Sequence, residues 1–189
     1  MSPSERKERY RQRGGAALEF ALVLPLLLGF VLAALDLASY VAQVQRAAAA
    51  AAAAADLATQ IDKFSPETDM GRIVTGRELA VLALAATEAA HPQPLLSDGA
   101  VIITSVANTG NGPTVAWQRR WGRPELPGLI GAGNTSGIAV AAGEGVIFAE
   151  VVCSIRPWLL SGGLLGLPTE IVVRRTAARR PRLAIPVIG

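Results

Sequence analysis

The chain has 189 residues, a formal net charge of +3 and a single cysteine. A single cysteine excludes an intramolecular disulfide, and the length allows one modest domain beside any membrane segment. Basic residues gather near the two ends without interleaved aromatic side chains, and no nucleic-acid-binding motif is present. Nucleic acid is therefore not an expected partner.

The chain opens with a basic stub followed by a long apolar segment. We expect residues 1–13 to be disordered, because they are charged and lack apolar periodicity. Phe20–Leu35 is sixteen residues without a charge, bounded by Glu19 and Asp36. Counted from Ala16, the segment is long enough to cross a bilayer, which needs about 20 residues. The positive-inside rule then predicts a cytoplasmic stub, with the remainder on the opposite side.

The same helix is predicted to continue beyond the apolar segment. Nine consecutive alanines, Ala47–Ala55, follow directly, and alanine has the highest intrinsic helix propensity. No glycine or proline occurs between Phe30 and Ser65. We therefore predict one continuous helix from about Ala16 to about Lys63.

The rest of the chain predicts a small α+β domain. Thr75 and Glu78 fit the capping box of a second helix that ends at His91-Pro92. Residues 122–143 are rich in glycine and proline, which predicts a long loop. Four segments rich in β-forming residues predict an antiparallel sheet: Ala100–Ala107, Thr114–Trp121, Glu144–Ile155 and Thr169–Ala177.

These patterns predict four consecutive parts. They are a basic cytoplasmic segment at 1–14, a transmembrane and extended helix at 15–64, an α+β domain on the opposite side of the membrane at 65–182, and a C-terminal tail at 183–189.

No residue set for catalysis, metal binding or cofactor binding is apparent. Cys153 lies in an apolar run, and the one histidine, His91, lies in a proline-containing linker. We predict a buried core cysteine rather than a catalytic thiol, which would need a nearby base. We accordingly expect no enzyme, no cofactor and no metal site.

The N-terminal segment resembles a known family. The run Arg13-Gly14-Gly15-Ala16-Ala17-Leu18-Glu19-Phe20-Ala21-Leu22-Val23-Leu24-Pro25 is similar to TadE/TadG-like proteins, the minor pilins or pseudopilins of tight-adherence (Flp) type IV pilus systems. The part from Glu19 to Pro25 is its most specific portion, and Asp36-Leu37 also fits. Ile155–Leu160, Gly166–Pro168 and Val172–Arg182 are loosely similar to the closing region of that family.

The resemblance implies a set of partners and a processing site. A prepilin peptidase would cut between Gly14 and Gly15, so that Glu19 becomes the fifth residue of the mature chain and Phe20 the aromatic residue after it. A cut after Gly15 is conceivable but would place Glu19 fourth, so we expect the first. Some family members are processed and others serve as uncleaved anchors. The implied partners are the lipid bilayer, the peptidase, other pilins and the pilus assembly machinery.

The two acidic residues of the segment each have two interpretations. Glu19 either pairs with a neighbouring subunit during assembly or lies at the headgroup edge of the bilayer. Asp36 either marks the outer interface of a tilted span or contacts a partner inside the membrane.

The expected function is that of a structural minor pilin that is inserted in the inner membrane and can enter the extracellular pilus. One alternative is a membrane-anchored periplasmic accessory protein that is neither cleaved nor polymerised. Another is a secreted protein whose signal peptide is cut within the alanine tract.

Overall fold

The computed structural model describes residues 3–60, 76–157 and 170–181. It contains two long helices, one short helix and four strands: α1 (Pro3–Ala58), α2 (Gly76–Ala90), α3 (Leu95–Asp98), β1 (Gly99–Asn108), β2 (Pro113–Gly122), β3 (Gly145–Ile155) and β4 (Ile171–Arg179). The predicted α+β class, the second helix and the four antiparallel strands are confirmed. The turn α3 was not predicted.

Helix α1 begins at Pro3, so the prediction of a disordered stub over residues 1–13 is wrong for residues 3–13. Proline is favoured in the first turn of a helix, where its missing N–H would have no partner anyway. The following residues are mostly Glu, Arg, Lys and Gln, which have high helix propensity. Acidic and basic residues such as Glu5 and Arg9 are also spaced four apart, a spacing that stabilises helices.

The same helix ends at Ala58, about five residues before the predicted end near Lys63. The hydroxyl of Thr59 donates to the Asp56 carbonyl at 2.7 Å, and the Gln60 amide donates to the Leu57 carbonyl at 2.9 Å. Such a side-chain bond and a tighter i to i+3 bond both compete with the regular helical pattern. The bond from Gln60 marks a tightened last turn, which is common where an α-helix ends.

The chain divides into two compact units, and α1 contributes to both. One unit is Met1–Tyr40 with Pro157–Thr169, and the other, called here the folded unit, is Val41–Arg156 with Glu170–Gly189.

The sheet of the folded unit has the strand order β2-β1-β3-β4, with every neighbouring pair antiparallel. Ile102 lies opposite Arg120 on one side and Glu150 on the other, and Glu150 lies opposite Thr176. The central strands β1 and β3 are buried along almost their whole length. A strand covered on both faces has no solvent side, which explains why both sequences are nearly continuous apolar runs.

One face of the sheet is covered by the long connection between β2 and β3. Leu126 packs with Ala100, Ile102 and Val152 in one cluster. A second cluster joins Ile130 to residues of β1 and β3, with further loop and strand side chains packed against it: Val106, Val146, Phe148, Ile138, Val140 and Ala178. The predicted loop at 122–143 is therefore a third layer of the fold, although it lies between β2 and β3 and adds no strand to the sheet.

The end of α1 buries a face made of alanine. Six alanines have an exposed fraction of 2% or less: Ala47, Ala50, Ala51, Ala54, Ala55 and Ala58. Along the sequence these alanines lie alternately three positions and one position apart, which places them on a single face of the helix. We call this set the alanine face. Asp56 lies on the same helix, and its Oδ1 accepts a hydrogen bond from Nε of Arg179 in β4 at 2.5 Å. This contact ties α1 to the edge of the sheet.

Glycine is required at the hairpin between β1 and β2. Gly110 and Gly112 have φ values of 111° and 100°, which side chains other than glycine rarely adopt. Their amides donate to Oδ1 of Asn108 at 2.9 and 3.1 Å. Asparagine and glycine are among the residues that tight turns favour.

Several predicted features lie outside the described residues. They are the cap at Thr75, the start of the last strand at Thr169 and the tail at 183–189.

Candidate functional site

The candidate site is the part of α1 whose apolar surface is exposed. Thirteen large apolar side chains between Leu18 and Val41 are well exposed, and they project on all sides of the helix. The stretch Ala17–Ala58 is long and apolar enough to cross a membrane, and none of its most apolar window is buried within the protein. In water such a surface would be strongly unfavourable, because each large apolar side chain gains about 1.5–3 kcal/mol on burial. The helix therefore needs an apolar environment that the described residues do not supply.

Glu19 and Phe20 lie side by side at the start of this surface. Both side chains are exposed, with Phe20 at 65%. Within the part of the chain that the structure describes, Glu19 has no ion-pair partner. A carboxylate without a partner at the edge of an apolar surface is costly once that surface is surrounded by lipid. It is therefore a candidate for contact with a group from outside the chain.

Gly14 and Gly15 lie within α1 rather than at its end. A methyl group added at Gly15 would contact nothing within 4 Å, so the protein's own packing does not require glycine there. Further along, Pro25 also lies inside the helix. It has no N–H to donate to the Ala21 carbonyl, a defect that membrane helices tolerate better than soluble ones.

Asp36 differs sharply from its neighbours. Its side chain is 6% exposed, whereas Leu35 and Leu37 are 62% and 61% exposed. The Ser39 hydroxyl donates to the Asp36 backbone carbonyl at 2.8 Å. A buried carboxylate needs hydrogen-bond donors or an opposite charge, and Asp36 does have an interaction partner. Its two sequence-based interpretations, an interfacial residue and a partner contact, stay predictions.

The structure does not bring Glu19 and Asp36 together. They are 17 residues apart on one helix, which separates them by about 26 Å along the axis and by about 100° around it. That separation is close to the thickness of a hydrocarbon core, about 30 Å. The two acidic residues thus bound the uncharged stretch at its two ends.

The folded unit contains a third carboxylate in an apolar run, and sequence analysis missed its role. Glu150 is fully buried at the centre of the sheet. It accepts hydrogen bonds from the backbone amides of Leu129 and Ile130 at 2.9 and 3.2 Å, and from Nη1 of Arg174 at 3.0 Å. We call these four residues the Glu150 clamp. A lone acidic residue within the apolar run Val146–Cys153 was the available signal.

The clamp holds the middle of the β2–β3 loop, and ion pairs hold its ends. Arg123 at the start contacts Glu125 at 2.7 Å and Glu170 at 3.2 Å. The hydrogen bond from Arg123 lowers the pKa of Glu125 below its usual range. At the other end Arg180 lies 3.5 Å from the carboxylate of Glu144. The long loop is therefore fixed to the sheet at three places.

Cys153 is confirmed as a buried core residue of β3. Burial raises the pKa of its thiol above the usual value, which opposes formation of the reactive thiolate. A nucleophilic role for this cysteine is not supported by its surroundings.

A protein-family comparison matches the candidate site. The family model described as TadE-like protein matches residues 14–56, from Gly14 to Asp56, the residue directly after the alanine tract. No curated protein and no solved structure matches the chain. The matched segment contains Gly14, Gly15, Glu19, Phe20 and Asp36. Over residues 14–56 this chain is therefore similar to TadE-like proteins, as its sequence resemblance indicated.

Proposed function

We propose that this protein is a structural minor pilin, or pseudopilin, that takes part in assembling a tight-adherence (Flp-type) pilus from the bacterial inner membrane. One observation carries the proposal. The TadE-like match falls on the helix with the exposed apolar surface, and Glu19 and Asp36 are the only charges between residues 14 and 45.

The apolar surface of α1 supports insertion as a single span. Sixteen uncharged residues from Phe20 to Leu35 cover about 24 Å at 1.5 Å per residue, and the flanking apolar residues extend this length. The basic residues before Gly14 favour a cytoplasmic N-terminus. The folded unit would then lie in the periplasm, where its single buried cysteine forms no disulfide.

Cleavage between Gly14 and Gly15 would give Glu19 a charged partner. Gly15 and Glu19 are four residues apart, so they lie on the same helix face about 6 Å apart along the axis. A new α-ammonium group at Gly15 would face the carboxylate of its own chain or that of a neighbouring chain. Pairing between chains would fix the axial position of one helix against the next and would reduce the cost of placing Glu19 in lipid.

A second candidate is an uncleaved membrane anchor that supports the assembly machinery without entering the fibre. One structural feature favours it. The peptide between Gly14 and Gly15 lies inside a continuous helix that starts at Pro3, so its backbone groups belong to the helical hydrogen-bond pattern. A protease would have to unwind this turn before cutting it.

N-terminal sequencing of protein purified from membranes distinguishes these functions. A mature start at Gly15 is expected for the pilin, and a start at Met1 or Ser2 for the uncleaved anchor. A start within or after the alanine tract would contradict both, because it identifies a secreted protein. Gly14→Val should abolish the processed form. Gly29→Val is the control, since it introduces the same side chain elsewhere on α1, where an added Cβ meets nothing within 4 Å.

The role of Glu19 in assembly has a separate test. Glu19→Gln keeps the side-chain size but removes the charge, so we expect surface piliation to be lost while the membrane level of the protein is unchanged. Glu88→Gln removes an exposed carboxylate from α2 and serves as the control. Normal piliation with Glu19→Gln would contradict the assembly role and leave the anchor as the better explanation.

A further inference from the structure

The sheet of the folded unit has two edge strands, β2 and β4, in the part of the chain that the structure describes. An edge strand exposes unpaired backbone groups, and another chain can pair with them by adding a strand. Proteins that meet at high local concentration, as pilus subunits would, are especially exposed to this kind of unwanted pairing. The backbone groups along these two edges therefore decide whether the sheets of two copies can pair, whatever the function of α1.

The direction of each backbone group follows from two hydrogen bonds at the ends of β1. The Asn108 amide donates to the Glu144 carbonyl, just before β3, and the Gly99 carbonyl accepts from the Arg123 amide, just after β2. Neighbouring residues of a strand point their backbone groups to opposite sides. Even-numbered residues of β1 therefore face β3, and odd-numbered ones face β2.

From the strand registers, the direction of the backbone groups follows for both edge strands. Thr104 faces β3, so Gln118, which lies opposite it in β2, points its carbonyl away from the sheet. Phe148 lies opposite Thr104 in β3 and faces β1, so its neighbours Ile147 and Ala149 face β4. Their partners in β4 are Arg179 and Ala177, which leaves Arg174, Thr176 and Ala178 pointing outward.

Three of these outward carbonyls are occupied by arginine side chains. In each case Nη1 of an arginine donates to the carbonyl of the residue before it: Arg119 to Gln118 at 3.2 Å, Arg175 to Arg174 at 3.1 Å, and Arg179 to Ala178 at 3.0 Å. We call Arg119, Arg175 and Arg179 the edge arginines. One lies on β2 and two lie on β4, so both edges carry the same arrangement.

We propose that the edge arginines close both edges of the sheet to strand addition by occupying outward carbonyls that an added strand would need. A strand pairing with β4 would have to displace two guanidinium groups and leave their charges beside its own backbone. Arg179 is held further by its ion pair with Asp56. Copies of this protein therefore associate through surfaces other than the sheet edges.

A pair of double variants tests the proposal in the full chain, purified in detergent. Arg119→Ala with Arg175→Ala frees one carbonyl on each edge. Arg120→Ala with Arg180→Ala is the matched control. It removes the same charge from neighbouring positions, but Arg120 donates to the Pro124 carbonyl and Arg180 pairs with Glu144, so neither occupies an edge carbonyl.

Self-association is measured by sedimentation, and the site of pairing by amide hydrogen exchange. We expect the first double variant to dimerise at least about fivefold more tightly than the parent, the factor that corresponds to one net backbone hydrogen bond of ~1 kcal/mol. The outward amide of Thr176 should become protected as the concentration rises. Equal association in the two double variants, or association without protection of Thr176, would overturn the proposal.

A measurement at high salt distinguishes two reasons why the edges would not pair. One is that the edge arginines occupy the outward carbonyls, and the other is that their charges repel each other. At 1 M salt the screening length falls to about 3 Å, so repulsion between arginines is largely removed. The parent should still not pair through its edges, because the hydrogen bonds persist. Edge pairing of the parent at high salt would contradict the proposal.

If the double variant fails to fold, the single substitution Arg175→Ala provides the same test on β4, because Arg175 is an exposed residue.

Discussion

Glu19 and Glu150 show how differently two regions of this molecule treat a carboxylate in an apolar run. Glu19 lies on the exposed apolar part of α1 and has no ion-pair partner among the described residues. Glu150 lies fully buried in the sheet and receives one guanidinium and two amides from its own chain. The folded unit supplies the partners of Glu150, whereas the described residues supply no ion-pair partner for Glu19.

The comparison separates a residue that specifies a fold from one to which the proposed function gives a role in assembly. A buried charge must be paired and hydrogen-bonded, so the Glu150 clamp is part of folding. An unpaired carboxylate beside an apolar surface contributes little to the fold of its own chain. The following predictions test this division, starting with the largest expected effect.

Breaking the Glu150 clamp should strongly destabilise the folded unit. Arg174→Met should lower the free energy of unfolding by about 3 kcal/mol, because a buried carboxylate loses its opposite charge. Denaturant unfolding followed by tryptophan fluorescence measures the change, since Trp117 is buried. Arg175→Met, an exposed neighbour in the same strand, should change it by no more than about 0.5 kcal/mol. Glu19→Gln should likewise leave it unchanged.

The double variant Glu150→Met with Arg174→Met sharpens this result. Removing both charges should recover part of the lost stability, because no buried charge is left unpaired. Recovery stays incomplete, since the amides of Leu129 and Ile130 lose their acceptor at a cost of about 1–3 kcal/mol. A single Arg174→Met variant as stable as Arg175→Met would show that the clamp does not matter.

The alanine face marks where α1 changes from an exposed helix to a packed one. Ala54→Leu should destabilise the folded unit by about 1–3 kcal/mol, because Ala54 is completely buried and has no room for a larger side chain. Ala49→Leu on the exposed side of the same helix is the control and should change stability by less than about 0.5 kcal/mol. Thermal unfolding measures both, and equal effects would show that this part of α1 is not packed as described.

The reactivity of the Cys153 thiol measures how well the sheet excludes solvent. Because burial raises its pKa in the folded state above the ordinary value of 9.0, the folded protein holds the thiol proton more strongly than the unfolded chain does. Its stabilising contribution is therefore complete below about pH 9 and is lost as the pH rises above that value. Iodoacetamide at pH 8 should label the thiol slowly in the native protein and rapidly in denaturant. Fast native labelling would contradict its burial.

The ion pair between Asp56 and Arg179 should have the smallest effect. Both side chains are about half exposed, and exposed pairs contribute up to about 1 kcal/mol. Asp56→Asn should lower stability by about 0.5 kcal/mol in low salt and by less in high salt, as followed by thermal unfolding. A loss comparable to that of Arg174→Met would mean that this contact holds α1 to the sheet more strongly than an exposed ion pair can.

Sequence patterns predicted the helix and strands well because these depend on local periodicity and propensity. The four strands were placed to within about two residues, and the buried role of Cys153 followed from its apolar neighbours. The two ends of α1 were missed. At Pro3 the charged residues proved to be good helix formers, and beyond Ala58 the helical pattern gives way to a tighter turn at Gln60.

The sequence by itself determined the exposed apolar helix, its two bounding carboxylates and the α+β class. These features depend on which residues lie within a few turns or strands of one another. The tertiary structure alone decided that Glu150 is clamped, that the loop covers one face of the sheet, and that arginines occupy the outward carbonyls. Each of these features joins residues whose proximity depends on strand register and on the path of a long loop. Local periodicity in the sequence predicts neither the register nor the loop path.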